Sequence, residues 1–160
     1  MGHIKQNDSR LLEPIQKIGC FFRSCGIIAE NKTEKELSAE KINDVWKWAK
    51  DVEYIDKNDN VRFSAPIATR FLRELGDEKG RFIEVGTFRG GKTTFYESIR
   101  KCNPELMRID ALIQKIIQGG PSRTHFRVVN KNGALIEDPH APPINPLSIE
   151  YSILYAYIAE

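Results

Sequence analysis

Cys20 follows a glycine at the head of an apolar, helix-patterned stretch, Gly19-Cys20-Phe21-Phe22. Far downstream, His125 and Asp138 lie on the two arms of what reads as one β-hairpin. A thiol attacks well only as its thiolate, and a helix N-terminus and a nearby imidazole both favour that form. Cys20 in the first turn of a helix has its sulfur near the positive end of the helix dipole. Gly19 reads as a residue that ends the preceding loop with unusual backbone angles and lets a substrate approach closely. Cys25, five residues on and followed by Ile27 and Ile28, falls on another face and reads as core. Cys102, at the end of a polar stretch before Asn103-Pro104, has no base near it in sequence.

The hairpin fixes which side chains share a face. Asn132-Gly133 is the favoured pair for a two-residue type I′ turn. With that turn, His125 stands opposite His140 and Arg127 opposite Asp138, so all four project from one face. His125 and Asp138 become diagonal neighbours about 7–8 Å apart at the backbone, within side-chain reach. A carboxylate there would fix the imidazole tautomer and leave the other ring nitrogen for a sulfur. A one-residue slip would put the two on opposite faces. His140, between prolines, is a second candidate base or a plain loop residue. His3 reads as part of a flexible terminus.

A second pattern competes with the first. Gly86-Thr87-Phe88-Arg89-Gly90-Gly91-Lys92-Thr93 matches the phosphate-binding P-loop, and Phe82-Ile83-Glu84-Val85 before it reads as the strand such a loop needs. Backbone N–H groups would then cradle phosphate, Lys92 would reach the outer phosphates and Thr93 would hold Mg²⁺. Against this, the chain beyond Thr93 is mostly antiparallel β in pattern. The only approach there to an apolar strand ending in an aspartate for the metal, Ala134-Leu135-Ile136-Glu137-Asp138, is the second arm of the hairpin.

The elements that must carry these residues follow from pattern and punctuation. Residues 20–31 read as a first helix, with Phe21, Phe22, Cys25, Ile28 and Ala29 near one apolar face. Thr33 with Glu36 resembles a capping box, and Ser38 is a candidate N-cap for a helix through about Lys50, with Ile42, Val45, Trp46 and Ala49 on its core side. Pro66 opens a third helix that Gly76 stops, and helices are expected over 93–101 and from about Glu105 to Gln118, ended by Gly119-Gly120-Pro121. The hairpin at 124–138, a Pro-rich bend and a last strand near 148–158 complete the chain. Helices first and an antiparallel sheet last argue for an α+β fold.

Composition narrows the function classes. The 160 residues are long enough for one domain, 1–160, with one sizeable core. Lys and Arg number 24 against 22 Asp and Glu, a net charge of +2 that gives no electrostatic case for nucleic acid or a membrane surface. No apolar run reaches the roughly 20 residues of a membrane span. The first ten residues are polar, unlike a signal peptide. The 3 cysteines are an odd number without disulfide or metal spacing, so the expected compartment is reducing and cytoplasmic.

The Gly-Cys-aromatic start followed by a helix resembles the nucleophile segment of papain-like enzymes. The later His-x-x-Val-Val … Asp-Pro hairpin is similar to that of the bacterial bacteriocin-processing cysteine peptidases and their small stand-alone relatives. The resemblance implies a papain-like α+β fold in which a helical N-terminal half packs on a C-terminal antiparallel sheet. It implies Cys20 as nucleophile, His125 as general acid and base, and Asp138 as the residue that orients it. Those families place a Gln five or six residues before the Cys to bind the oxyanion; here Gln16 lies four before Cys20, and Pro14 six before. The expectation is a peptidase or amidase that hydrolyses a peptide, isopeptide or glutamine amide bond in a peptide or protein substrate, with no metal or organic cofactor. The alternatives are a P-loop nucleotide-binding protein using Gly86 to Thr93, or a catalytically inactive papain-like interaction module.

Overall fold

The polar turn chemistry and apolar runs of the chain resolve, in a computed structural model that describes residues 3–89, 108–118, 124–131 and 134–159, into helices first and a sheet that closes late. Four helices lie among the described residues: α1 (Glu13–Ile18), α2 (Cys20–Thr33), α3 (Ala39–Asp51) and α4 (Ser64–Glu74). Five strands come after them: β1 (Arg81–Arg89), β2 (Ala111–Ile117), β3 (Thr124–Val129), β4 (Leu135–Glu137) and β5 (Ser148–Ile158). They form one antiparallel sheet in the order β1-β5-β2-β3-β4. The fold is therefore α+β.

Local chemistry explains most boundaries. The Ser38 hydroxyl accepts from the Lys41 N–H at 3.2 Å and caps α3 as expected. Gly76, at φ 90°, ends the α4 segment in a conformation glycine adopts freely. Thr33 does not open a capping box. It closes α2, its hydroxyl donating to the Ala29 carbonyl at 3.0 Å, and Glu34 turns the chain left-handed at φ 56°.

Two expectations are corrected. The helix expected over 105–118 is strand β2 where it is described, over Ala111–Ile117. Gly19 has an ordinary φ of −83°. Its lack of a side chain answers to space, because a Cβ there would run into the backbone of Ile15 in α1. The helix expected at 93–101, Cys102, Gly119-Gly120-Pro121 and the Asn132-Gly133 turn lie outside the described residues.

One face of the sheet carries the helical layer. α2 packs against α4, β3 and β2, and α4 covers β1. Between them lies a core built on Phe22, Ile27, Ile28, Trp46, Phe71 and Tyr155, with Phe22 edge-on to Trp46 at 5.0 Å. Each large side chain buried this way contributes about 1.5–3 kcal/mol. Cys25 belongs to this core; it is fully buried, and burial pushes its thiol well above the ordinary range. A second apolar cluster, Ile109, Leu112, Val129 and Leu154, gathers residues that alternate with core-facing Ile113, Val128 and Tyr155, so it lies on the opposite face. No helix among the described residues is long and apolar enough to cross a membrane.

Candidate active site

Cys20 is the first residue of α2, and α1 ends just before it, with Gly19 as the hinge. Its N–H is among the first four of a 14-residue helix, which have no intrahelical acceptor. The residue is half-buried and its thiol is free. His125 is the second residue of β3, paired with Ile116 of β2, and is buried at 3% exposure. Cys20 lines the same cleft as His125 and favours the charged form of its ring. Asp138 follows β4 directly and is 1% exposed.

His125 Nε2 meets Asp138 Oδ1 at 2.6 Å. That leaves Nδ1 as the ring nitrogen for the sulfur. Asp138 is itself pinned: Oδ1 accepts the His140 N–H at 2.8 Å and Oδ2 the Ile144 N–H at 2.9 Å. Val128 stands opposite Glu137, as a two-residue turn requires, but Val129 stands opposite Leu135 across a bulge, and the Asn130 N–H donates to the Ala134 carbonyl. These two pairs are thus one residue off the expected register, and the bulge restores it at Val128 and Glu137 before Asp138. Arg127, two along from His125, turns to Gln114 of β2, its Nε donating to Oε1 at 3.0 Å.

The electrostatics follow from these bonds. Burial alone would lower the His125 pKa, but the hydrogen bonds and charges of Asp138 and Cys20 outweigh it and raise the pKa to about 9. Burial would raise Asp138, yet its bonds to His125, Ile144 N–H and His140 N–H hold the carboxylate below its usual range. At neutral pH the pair is therefore an imidazolium held by a carboxylate, with a sulfur on the other side.

Cys20 and His125 open onto a cleft of about 530 Å³ whose lining also includes Gln6, Gln16, Phe126 and His140, with Asp138 buried behind His125. Phe21 stacks on Phe126 with centroids 4.1 Å apart, joining the start of α2 to β3. Gln16 reaches the cleft from α1, but its Nε2 donates to the Leu11 carbonyl at 2.7 Å. Gln6 is the residue that spacing from Cys20 did not single out. It is 4% exposed, its Oε1 lacks a hydrogen-bond partner among the described residues, and its Nε2 makes one long contact of 3.4 Å to the Gln16 carbonyl.

Gln6 reaches the site because the N-terminal segment is stitched to the loop after Asp138. The Gln6 N–H donates to the Pro139 carbonyl at 2.6 Å, Lys5 Nζ to the Asp138 carbonyl at 2.9 Å, and Asn7 Nδ2 to the Ala141 carbonyl at 2.8 Å. His3, expected in a flexible terminus, has its side chain 4% exposed, with Nδ1 3.2 Å from Glu30 and Nε2 3.8 Å from Glu137. The buried Glu30 carboxylate and the partly exposed Glu137 carboxylate flank the ring, which corrects that expectation.

The rival motif has a different fate. Gly86, Thr87, Phe88 and Arg89 belong to β1, opposite Leu154, Ile153, Ser152 and Tyr151 of β5. A phosphate cradle winds these residues so that successive N–H groups converge; here they are extended in a ladder. Gly90 to Thr93 lie outside the described residues.

No protein-family model matches the chain, and comparison with curated proteins and with solved structures found no significant match.

Proposed function

We propose that the protein is a papain-like cysteine peptidase or amidase that cleaves a peptide, isopeptide or glutamine amide bond. The observation that carries this reading is Cys20, at a helix start, sharing one cleft with a His125 that meets Asp138 at 2.6 Å. A thiol, an imidazolium and a buried carboxylate in that order are the parts of acyl transfer.

The Cys20 thiolate attacks the carbonyl carbon and forms a C–S bond. The oxygen takes up the charge and faces the unpaired N–H at the start of α2. An amide donor beside that N–H stabilises the same oxygen, worth on the order of 100–1000-fold in rate. This role moves from Gln16 to Gln6, because Gln16 Nε2 already holds the Leu11 carbonyl while Gln6 makes only one long contact. His125 Nδ1 gives its proton to the leaving amine as the C–N bond breaks. Water then hydrolyses the thioester. Asp138 holds the ring throughout. Thiol, imidazole and carboxylate complete this chemistry without an added metal or organic group.

The first test is iodoacetamide alkylation against pH, read for each cysteine by mass spectrometry in wild type and His125→Ala. Selective reaction of Cys20 well below pH 8, lost in His125→Ala, is the expected result. A Cys20 that titrates like a free thiol near 8.5 would remove the reading's chemistry. Once an amide or ester substrate is in hand, Gln6→Ala is expected to lower kcat about 100-fold or more and Gln16→Ala less. The reverse order returns the oxyanion role to Gln16.

A further inference from the structure

The wall of the Cys20 cleft carries a cation that the triad does not use. Tyr151 of β5, Lys115 of β2 and Phe126 of β3 form one row across three strands, because Lys115 pairs with both of the others. Residues paired in this way project from one face, and all three line the cleft together with Cys20 and His125. Lys115 Nζ lies 5.2 Å from the Tyr151 ring centroid and 5.8 Å from that of Phe126. Phe126 also carries Phe21, the neighbour of Cys20, stacked at 4.1 Å. The row is thus joined to both halves of the site, since Phe126 follows His125 in β3 and its ring meets the residue after Cys20. The Lys115 counter-ion stands outside the cleft. Strand β5 shifts register between the partners of Lys115 and Ile116, which makes Glu150 the extra residue. Its Oε2 is 3.5 Å from Lys115 Nζ, and Glu150 is absent from the described lining. An ammonium has three N–H donors, so one carboxylate at that distance leaves room for another. The carboxylate of the described lining, Asp59, is held by Lys50 Nζ at 2.5 Å.

We propose that Lys115 selects substrates with a glutamate or aspartate side chain near the amide that Cys20 attacks. This rests on the reading of Cys20 as the nucleophile. The substrate carboxylate accepts N–H donors of Lys115 that Glu150 leaves over, and its methylene stem lies against the Phe126 and Tyr151 rings. A charge-assisted bond of this kind is shorter and stronger than one between neutral groups. An extended substrate advances about 3.3–3.6 Å per residue, so contacts relayed through Phe21 and Phe126 place the carboxylate within about three residues of the reacting amide. Lys115 touches none of the reacting atoms and is a specificity residue. The pair it makes is the same before and during attack, so its effect falls on KM and leaves kcat to the triad.

The probe is a peptide library, made by chymotrypsin digestion of denatured cell extract and incubated with the full chain. New cuts and deamidated glutamines are read by mass spectrometry. Among the events lost in Cys20→Ala, Glu or Asp should be enriched at one position within about three residues of the reacting amide. Two synthetic peptides from the best site, differing only by Glu or Gln at that position, then give a ratio of kcat/KM. Wild type should favour the Glu peptide about 10-fold or more, chiefly through KM, the range of a hydrogen bond to a charged group. Lys115→Gln and Lys115→Met should bring the ratio within about twofold of unity, and Lys115→Arg should keep it. The ratio is taken within one variant, so a general loss of activity cancels from it. A preference that survives Lys115→Gln would make Lys115 a support for the two rings and overturn the proposal. Cuts without acidic enrichment would overturn it too, as would a preference for peptide C-termini, which assigns the cation to a terminal carboxylate. A library without any Cys20-dependent event overturns the Cys20 reading itself and takes this one with it.

Discussion

Asp138 concentrates the electrostatics of the site in one carboxylate, with His125, His140 N–H and Ile144 N–H as its three donors. The consequence for stability has a definite sign. His125 has a folded pKa of about 9 against an ordinary 6.5, so its contribution is full below pH 6.5 and is lost as pH rises toward 9. Asp138 is depressed below 3.8, so its contribution is present above that value and is lost as pH falls below it. Urea midpoints in wild type should therefore hold from about pH 4 to 6.5 and decline up to about pH 9. Asp138→Asn, which removes the charge, should flatten the alkaline decline; an equally steep decline in that variant would dismiss the ion pair as its source. Cys20, His125 and Asp138 were legible because each has a distinctive chemistry and the hairpin register ties two of them together. Gln6 was not, because α1 intervenes between it and Cys20 and its place depends on hydrogen bonds to a loop more than a hundred residues away. No local pattern encodes such a pairing.

At the scale of elements, the joint between α1 and α2 sets where the sulfur sits. Gly19→Ala would push a methyl group into the Ile15 backbone and force the two helices apart. A destabilisation of about 1–3 kcal/mol by thermal melting is expected, as for other overpacked sites. Slower alkylation of Cys20 than of any exposed thiol should accompany it. A variant as stable and as reactive as wild type would show that the joint yields freely. Elements with one clear period were readable: α3, with its Ser38 cap, and β5 both lie where the pattern puts them. Strand β2 reads as a helix for a physical reason. Ile109, Leu112, Ile113, Ile116 and Ile117 fall at the spacing of a helical stripe. A strand between two others, buried on both faces, shows no alternation to contradict it, and Leu112, Ile113, Gln114 and Ile116 are all buried. The P-loop motif misleads in the opposite way: its glycine and threonine fit an edge strand with a bulge at Glu84/Gly86 as well as a loop.

For the molecule as a whole, a buried ion pair joins the helical layer to the N-terminal segment. Arg23 and Glu30 are both fully buried in α2 and bonded to each other; Arg23 Nε also donates to the Ile4 carbonyl at 2.7 Å, and Glu30 Oε2 accepts the Leu37 N–H at 2.9 Å. Glu30→Gln would leave a buried guanidinium without its counter-charge, at a cost of about 3–5 kcal/mol in urea unfolding. Because Ile4 leads directly to Lys5 and Gln6, that variant should also slow Cys20 chemistry; a loss under about 1 kcal/mol would show that water or His3 replaces the carboxylate. The α+β class was legible from the order of helices and hairpins, whereas the strand order was not, since it depends on which distant segments pair. That order has a consequence for synthesis. Strand β5 lies between β1 and β2, and among the described strands it is the one partner of β1. A ribosome makes β1 well before Ser148–Ile158, so the helices and the β2–β3–β4 segment can form while β1 still waits for its neighbour. A nascent chain stalled before Ser148 carries Cys20, His125 and Asp138 already made, on a sheet that has not yet closed.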